Sequence, residues 1–368
     1  METQVTPPEI YDFLAARVHG QDDVLRRVAV AIFKHVSGIN AGNLLLIGNS
    51  GTGKTTIMHA IREFYQTDEA LAKFRAMAIM NANMLLGDTE GEVETIRLFH
   101  NLERNVRNLG LNKLTVRALQ EHIENATVCI DEVDKISARI TPTSPNVYGI
   151  AVQNALLTII GGETIVYDTT IQQDGETRTI RMPLDTRRML FVCAGAFESL
   201  YDQVYDSVLG HQDKRQLKEE TRIDLEGHLK RVVEFRLKDY LEYQDLFDYG
   251  MLPQFISRFV SIAVLNDLDE FQLKYILMNS PDSPYTYSKR YFAAMGVDLV
   301  LTEGAQNTIS MHAANNTRVG ARALWHVFSR IMAEIEYDPF HSDKIEDTPE
   351  GKRIVIDKET VLDNLRTA

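Results

Sequence analysis

The stretch that most constrains this chain is Gly48-Asn-Ser-Gly-Thr-Gly-Lys-Thr55. Glycines 48, 51 and 53 let a backbone curl around an anion with its N–H groups turned inward. The apolar run Asn43–Ile47 before it reads as a buried parallel strand, and Lys54–Tyr65 after it reads as a helix. A helix that starts there turns the positive end of its dipole toward the anion. In this strand–loop–helix setting the Gly-x4-Gly-Lys-Thr spacing points to nucleotide phosphates. Gly48, Asn49, Ser50, Gly51, Thr52 and Gly53 would form the cradle. Lys54 would reach the β- and γ-phosphates, Thr55 would place its hydroxyl on Mg2+, and Thr56 would follow it in the site.

The second chemical element is Thr127-Val-Cys-Ile-Asp-Glu-Val-Asp134, an apolar strand that ends in two adjacent carboxylates. Alone it also fits a strand running into an acidic, solvated turn, the less favoured of the two readings. Downstream of a phosphate loop, Asp131 would hold magnesium and Glu132 would act as general base on the attacking water. Two arginines complete the set: Arg258, in Gly250-Met-Leu-Pro-Gln-Phe-Ile-Ser-Arg-Phe259, and Arg322, in Gly320-Ala-Arg-Ala-Leu-Trp325. By itself each reads as an ordinary surface or helix-start arginine.

Further strands are expected at Ala76–Met80, Met189–Cys193 and Phe259–Val264, and a helix at Asp22–Val36. Helical stretches separate most of the strands, which argues for an α/β, doubly wound parallel sheet. Thr164–Asp168 and Glu176–Met182 flank Asp174-Gly175 and read as a hairpin whose loop is longer than two residues. After Leu265 the character changes. Gly320–Tyr337 sets Leu324, Val327, Phe328, Ile331, Met332 and Ile335 on one helical face, and a short strand, Arg353–Asp357, follows. The expected organisation is a large domain at 1–265 and a smaller, mostly helical C-terminal domain at 266–368.

Composition narrows the function classes. The chain has 368 residues, 44% hydrophobic and 25% charged, with net charge −13. Such a charge disfavours broad nucleic-acid binding, which relies on Lys and Arg. No apolar run approaches the ~20 residues of a membrane helix. The N-terminus lacks the basic-then-apolar pattern of a signal peptide. Cys129 and Cys193 lie in apolar runs and read as buried, reduced thiols, so the expected location is cytoplasmic.

The four elements, in this order, resemble the ClpX/HslU branch of the AAA+ ATPases. The resemblance is closest to the ClpX module and extends from about Thr6 to about Asp363. Thr6-Pro-Pro-Glu-Ile10 and Val18-His-Gly-Gln21 look like the family's adenine-contacting segment, which carries Val18 and His19 into the site. Val152-Gln-Asn-Ala-Leu-Leu157 looks like the helix after its second pore loop, and Phe191-Val-Cys-Ala-Gly-Ala-Phe197 like its sensor-1 strand. Gly250–Phe259 is similar to its arginine-finger segment and Gly320-Ala-Arg322 to its sensor 2. The resemblance implies a P-loop NTPase (AAA+) fold and a homo-oligomeric, usually six-membered ring. It implies ATP with Mg2+ between the large and small domains. Arg258 would act on the neighbouring subunit's γ-phosphate, and Arg322 would turn nucleotide state into hinge motion near Leu265–Asp267. Ala194-Gly195 stand where many AAA+ proteins carry Asn, and ClpX is similarly non-polar at that point.

Three departures bear on function. The chain begins at the AAA+ module, without the zinc-binding domain of ClpX, so partner recruitment is expected to differ. The region about 200–249 holds Val208-Leu-Gly-His211 and then a charged stretch that reads as helix. Leu-Gly-His lacks the last apolar side chain of the Ile-Gly-Phe docking tripeptide, so no ClpP docking is expected. Where the first pore loop of ClpX reads Gly-Tyr-Val-Gly, Leu86-Gly-Asp-Thr-Glu-Gly-Glu92 stands, with Asp88, Thr89 and Glu90 as the pore-loop candidates. Six copies of Glu90 would form an acidic ring suited to a basic segment; the alternative is a solvated loop with no selective role. Tyr148, like Arg139 near the second pore loop, would supply an aromatic grip or serve as a structural tyrosine.

Two readings follow. One is a ring ATPase that remodels or disassembles a protein partner without a bound protease. The other is an ATP-dependent scaffold or switch for an effector, with little threading activity.

Overall fold

The computed structural model describes residues 5–87, 93–110, 114–141, 144–173, 176–209, 218–223, 226–316, 318–342, 344–349 and 351–366. The chain divides into two compact units. The first comprises Met1–Gly48, Gly53–Arg215 and Arg236–Leu265; the second comprises Asn49–Thr52, Gln216–Phe235 and Asn266–Ala368.

Among the described residues, the first unit holds a five-stranded sheet. Its spatial order is Phe259–Val264, Asn43–Ile47, Leu190–Gly195, Thr127–Asp131, Met77–Asn81, and every neighbouring pair is parallel. The continuous apolar runs have a direct cause. Leu44 and Leu46 join one buried cluster with Cys129, Leu190, Val192 and the helices Pro7–Ala15, Asp22–Val36 and Lys54–Phe64. Their alternates Leu45, Ile47, Val128, Ile130, Phe191 and Cys193 are fully buried as well. A strand covered on both faces has no polar side to alternate with. Each such Leu or Ile contributes roughly 1.5–3 kcal/mol on burial. Helix Asp22–Val36 carries Asp22 and Asp23 in its first turn and Lys34 and His35 in its last, complementing the macrodipole.

Parallel pairing sends every strand's carboxyl end to the same edge. The residues at that edge are Ile47, which runs into the phosphate loop, Asn81, Asp131 and Gly195. The observed strand Met77–Asn81 lies one residue past the expected one, which brings Asn81 into register with Asp131. The thiols are free and buried. Cys129 pairs with Val192 while Ile130 pairs with Cys193. The two side chains therefore project from opposite faces of the sheet and cannot be bridged.

The expected hairpin forms with longer arms, Thr164–Gln173 and Glu176–Asp185. Gln173 pairs with Glu176, so only two residues connect the arms rather than the longer loop read from sequence. The hairpin is fastened to helix Ile96–Arg107 by Glu103, which accepts from Tyr167 Oη and from Thr169 Oγ1 at 2.6 Å.

Of the charged stretch after Leu209, expected to be helical, residues 210–217, 224 and 225 lie outside the described residues, and the described part from Lys218 to Glu234 is not helical. Lys218–Ile223 and Leu229–Glu234 form an antiparallel hairpin in the second unit. Gly227, at φ +87°, turns the chain between them, and Ile223 is a β-preferring residue at the end of the first strand.

The rest of the second unit packs helices Glu270–Asn279, Pro284–Ala293, Glu303–Ala314, Arg322–Tyr337 and Lys358–Arg366 around one core. A three-stranded mixed sheet, ordered Val297–Leu301, Gly351–Ile356, Ile345–Thr348, joins them. Leu324, Phe328, Ile331, Met332 and Ile335 are buried along one face of the long helix, as the 3.6-residue period requires.

Candidate functional site

The phosphate loop is built by strain that only glycine tolerates. Gly51 stands at φ +72° and Gly53 at φ +105°. A Cβ on Gly51 would lie 2.4 Å from the Val319 carbonyl oxygen. Within the second unit, Ala321 N donates to the Gly51 carbonyl at 3.1 Å, Arg322 Nη1 donates to Ser50 Oγ at 2.7 Å, and Asn49 Nδ2 donates to Asp267 Oδ1 at 2.8 Å. Thr52 Oγ1 donates to the Asn49 carbonyl at 2.8 Å, closing the loop on itself. In the first unit, Gly48 N donates to the Gly195 carbonyl at 3.2 Å, and Lys54, nearly buried, donates from Nζ to the Gly48 carbonyl. Thr55 and Thr56 are exposed in the first turn of helix Lys54–Phe64. Val18 is buried, and its Cγ1 lies 3.4 Å from where a Cβ on Gly53 would be. His19 beside it is half-buried, and that burial holds its imidazole pKa below the ordinary value.

The acidic turn meets the loop. Thr55 Oγ1 donates to Asp131 Oδ2 at 2.8 Å. Two hard oxygen donors thus converge from different elements, a donor set that suits Mg2+. Asp131 Oδ1 accepts from Glu132 N at 2.9 Å, and Glu132 itself stands in the left-handed region at φ +57°. For a residue with a long side chain that backbone costs on the order of 1 kcal/mol or more and is characteristic of active sites. Asn81 Nδ2 donates to Glu132 Oε2 at 3.0 Å, so the neighbouring strand aims the carboxylate. Sequence reading missed Asn81, because nothing but sheet order places it beside Asp131.

The glycine at position 195 has a steric reason. A Cβ on Gly195 would lie 2.6 Å from Phe197 Cε2 and 2.7 Å from Asp134 Oδ1. Asp134 is buried and accepts from Ala196 N at 3.2 Å. That carboxylate occupies the volume a larger residue at 195 would need.

Arg258 is not brought to this cluster. It is exposed and precedes strand Phe259–Val264, whose first residue pairs with Asn43 at the amino edge of the sheet. Five strand residues, roughly 16 Å, separate that edge from the phosphate-loop edge. Tyr148 lies in the first turn of helix Val147–Ile160 and is partly exposed. Asp88, Thr89 and Glu90 lie outside the described residues, whose flanks Leu86 and Val93 form an isolated antiparallel bridge.

A parallel sheet with a glycine loop at its carboxyl edge, a lysine and threonine opening the next helix, and paired carboxylates on the adjoining turn defines a P-loop nucleoside triphosphatase. Comparison with known proteins narrows the class. A family model described as the AAA domain (Cdc48 subfamily) matches residues 39–262. Relatives named as ClpX, the ATP-binding subunit of the ATP-dependent Clp protease, align over nearly the whole chain. That of Porphyromonas gingivalis is 27% identical over 376 residues, covering 96% of this chain and 80% of the relative. Those of Bacteroides thetaiotaomicron and Bacteroides fragilis are each 26% identical, covering 92% and 90% of this chain and 78% and 76% of the relatives. The chain belongs to the AAA+ ATPases and is ClpX-like over most of its length. No helix among the described residues is long and apolar enough to cross a membrane.

Proposed function

We propose that this chain hydrolyses ATP in a homo-oligomeric, six-membered cytoplasmic ring and uses the cycle to remodel or disassemble a protein partner. The observation that carries the reading is the meeting of Thr55 and Asp131 at 2.8 Å beside the Asn81–Glu132 pair. Thr55 and Asp131 would hold Mg2+, which when bound neutralises charge on the transferred phosphoryl group. Lys54 exchanges its Gly48 carbonyl partner for the β- and γ-phosphates. The backbone of residues 48–53 cradles the phosphates, with Val18 and His19 against the base. Glu132 takes the proton of the attacking water, and Asn81 fixes the direction of its carboxylate. Arg258, exposed at the far edge of the sheet, serves the neighbouring subunit's site, and Arg322 reads the loop through Ser50. Partner recruitment and the absence of ClpP docking remain part of this proposal. They rest on the sequence at Val208-Leu-Gly-His211, of which Gly210 and His211 lie outside the described residues.

The decisive experiment follows ATP turnover and the unfolding of a tagged model protein by the assembled chain, with and without ClpP. Magnesium-dependent turnover coupled to unfolding, with no degradation when ClpP is present, is the expected result. Degradation stimulated by ClpP would overturn the independence from it. A second reading, a nucleotide-switched scaffold, is favoured by Thr89 and Glu90 standing where the gripping pair of ClpX is found. Turnover without unfolding selects it.

A further inference from the structure

Gln153 is completely buried in the middle of helix Val147–Ile160, and its amide touches two segments remote in sequence. Nε2 donates to the Ile136 carbonyl at 2.7 Å and to the Gly250 carbonyl at 3.3 Å. Oε1 accepts from Leu252 N at 2.8 Å. The first partner ends the short turn Val133–Ile136 that Glu132 caps; the other two open the segment that leads to Arg258.

Other contacts close the same junction. Ala138 N donates to the Gly250 carbonyl at 2.7 Å, which gives that oxygen its second donor. Ser137 Oγ donates to the Tyr249 carbonyl at 2.8 Å, and Arg139 Nη1 to the Asp248 carbonyl at 2.8 Å. There is no slack: a Cβ on Gly149 would lie 2.4 Å from the Ser137 carbonyl oxygen, and one on Gly250 would lie 2.4 Å from Ser137 Oγ. Gly250 also stands at φ +110°. From Leu252 the short helix Pro253–Ile256 leads to Arg258, whose backbone N donates to the Phe255 carbonyl at 3.1 Å. Its guanidinium returns to the other end of the Gln153 helix, with Cζ 3.7 Å from where a Cβ on Gly161 would be. The Glu132 turn, this helix and Arg258 are thus one interlocked body with Gln153 at its centre.

We propose that Gln153 is a positioning residue for ATP hydrolysis. It holds the Glu132 turn and the Arg258 segment in one register, so a shift of Glu132 in one subunit moves the arginine that this subunit offers to the next. The proposal rests on the trans role of Arg258 given above. A change of about 1 Å in the placement of a group acting on the transition state is enough to cost about 10²-fold in rate.

The test is a double-mutant cycle on the full chain with ATP and magnesium, reading kcat, KM and thermal melting for Gln153→Glu, Arg258→Ala and the pair. Ionised glutamate keeps the acceptor for Leu252 N but loses the donors to Ile136 and Gly250. Gln153→Glu is expected to lower kcat about tenfold, with KM within about twofold; in the Arg258→Ala background it lowers kcat less than about twofold further. A merely structural role predicts equal factors in both backgrounds, and equal factors, or no loss of kcat, overturn the proposal. Where Gln153→Glu fails to melt cooperatively, Ser137→Ala, which deletes the bond to the Tyr249 carbonyl and the one accepted from Arg139 N, goes through the same cycle. About threefold in the wild-type background and none in the other is then expected, and equal factors overturn the proposal. Unchanged kcat in Arg258→Ala alone would instead refute the trans-arginine reading, and this proposal with it.

Discussion

Glu132 combines a left-handed backbone with a carboxylate held by Asn81. Glu132→Gln keeps the side-chain volume and removes the base. It is expected to lower kcat by about 10²–10⁴ while the affinity for ATP, measured by titration with a fluorescent analogue, stays within about threefold. Asn81→Ala frees the carboxylate without removing it, so a smaller loss of about 3–30-fold in kcat is expected, with KM little changed. Gly195→Ala brings a methyl group onto Asp134 and Phe197. A loss of about 1–3 kcal/mol in stability, read by chemical denaturation, is the expected cost of that overpacking.

At the scale of elements, the hairpin Thr164–Gln173/Glu176–Asp185 depends on Glu103 of helix Ile96–Arg107. Burial raises the Glu103 pKa, but hydrogen bonds from Thr169, Tyr167 and Arg107 outweigh it and leave the value lowered. Glu103→Ala strands Thr169 Oγ1 and Tyr167 Oη, and about 1–3 kcal/mol of stability is expected to go with them, seen as earlier proteolysis of the hairpin. The charged hairpin Lys218–Ile223/Leu229–Glu234 shows the opposite balance between sequence and structure. Its lysines and glutamates suggest a solvated helix, whereas Gly227 and the cross-strand register decide for a strand pair.

At the scale of the molecule, Arg258 precedes a strand that starts at the sheet edge about 16 Å from the phosphate-loop edge, and on the proposed reading it acts on a neighbouring subunit. Arg258→Ala is expected to lower turnover by at least about 10²-fold, and mixing it with Lys54→Ala subunits is expected to restore part of the activity, because each supplies what the other lacks. A steady-state ATPase assay on mixed rings reads this directly. The core also carries a pH dependence. His35 is buried against Phe74 and Tyr65, and its Nε2 lies 3.0 Å from the Asn125 carbonyl oxygen. Burial depresses its pKa from 6.5 to about 4. The unfolded chain therefore takes up a proton near pH 6.5 that the folded chain refuses until about pH 4. Stability contributed by neutral His35 is full above pH 6.5 and falls away as pH drops toward 4, by about 3 kcal/mol in all. Denaturation midpoints at pH 7.5 and 5 are expected to differ by less in His35→Phe than in the unaltered chain.

Much of this protein was legible in one dimension. Asn43–Ile47, Gly48–Thr55, Asp131-Glu132 and the face Leu324–Ile335 are local patterns, and buried strands, anion-binding glycine turns and amphipathic helices each have a local cause. What remained hidden depends on contacts between distant residues. Asn81 matters only because its strand lies beside Thr127–Asp131. Gly195 must be small only because Asp134 folds back onto it. Gln153 reads as one more helical residue until Ile136, Gly250 and Leu252 are seen to converge on its amide. Sequence alone determined the chemistry of the phosphate loop, since that follows from residue type and spacing. Tertiary structure alone decided which residues aim and connect that chemistry, because register and close approach belong to pairs of segments and to no single segment.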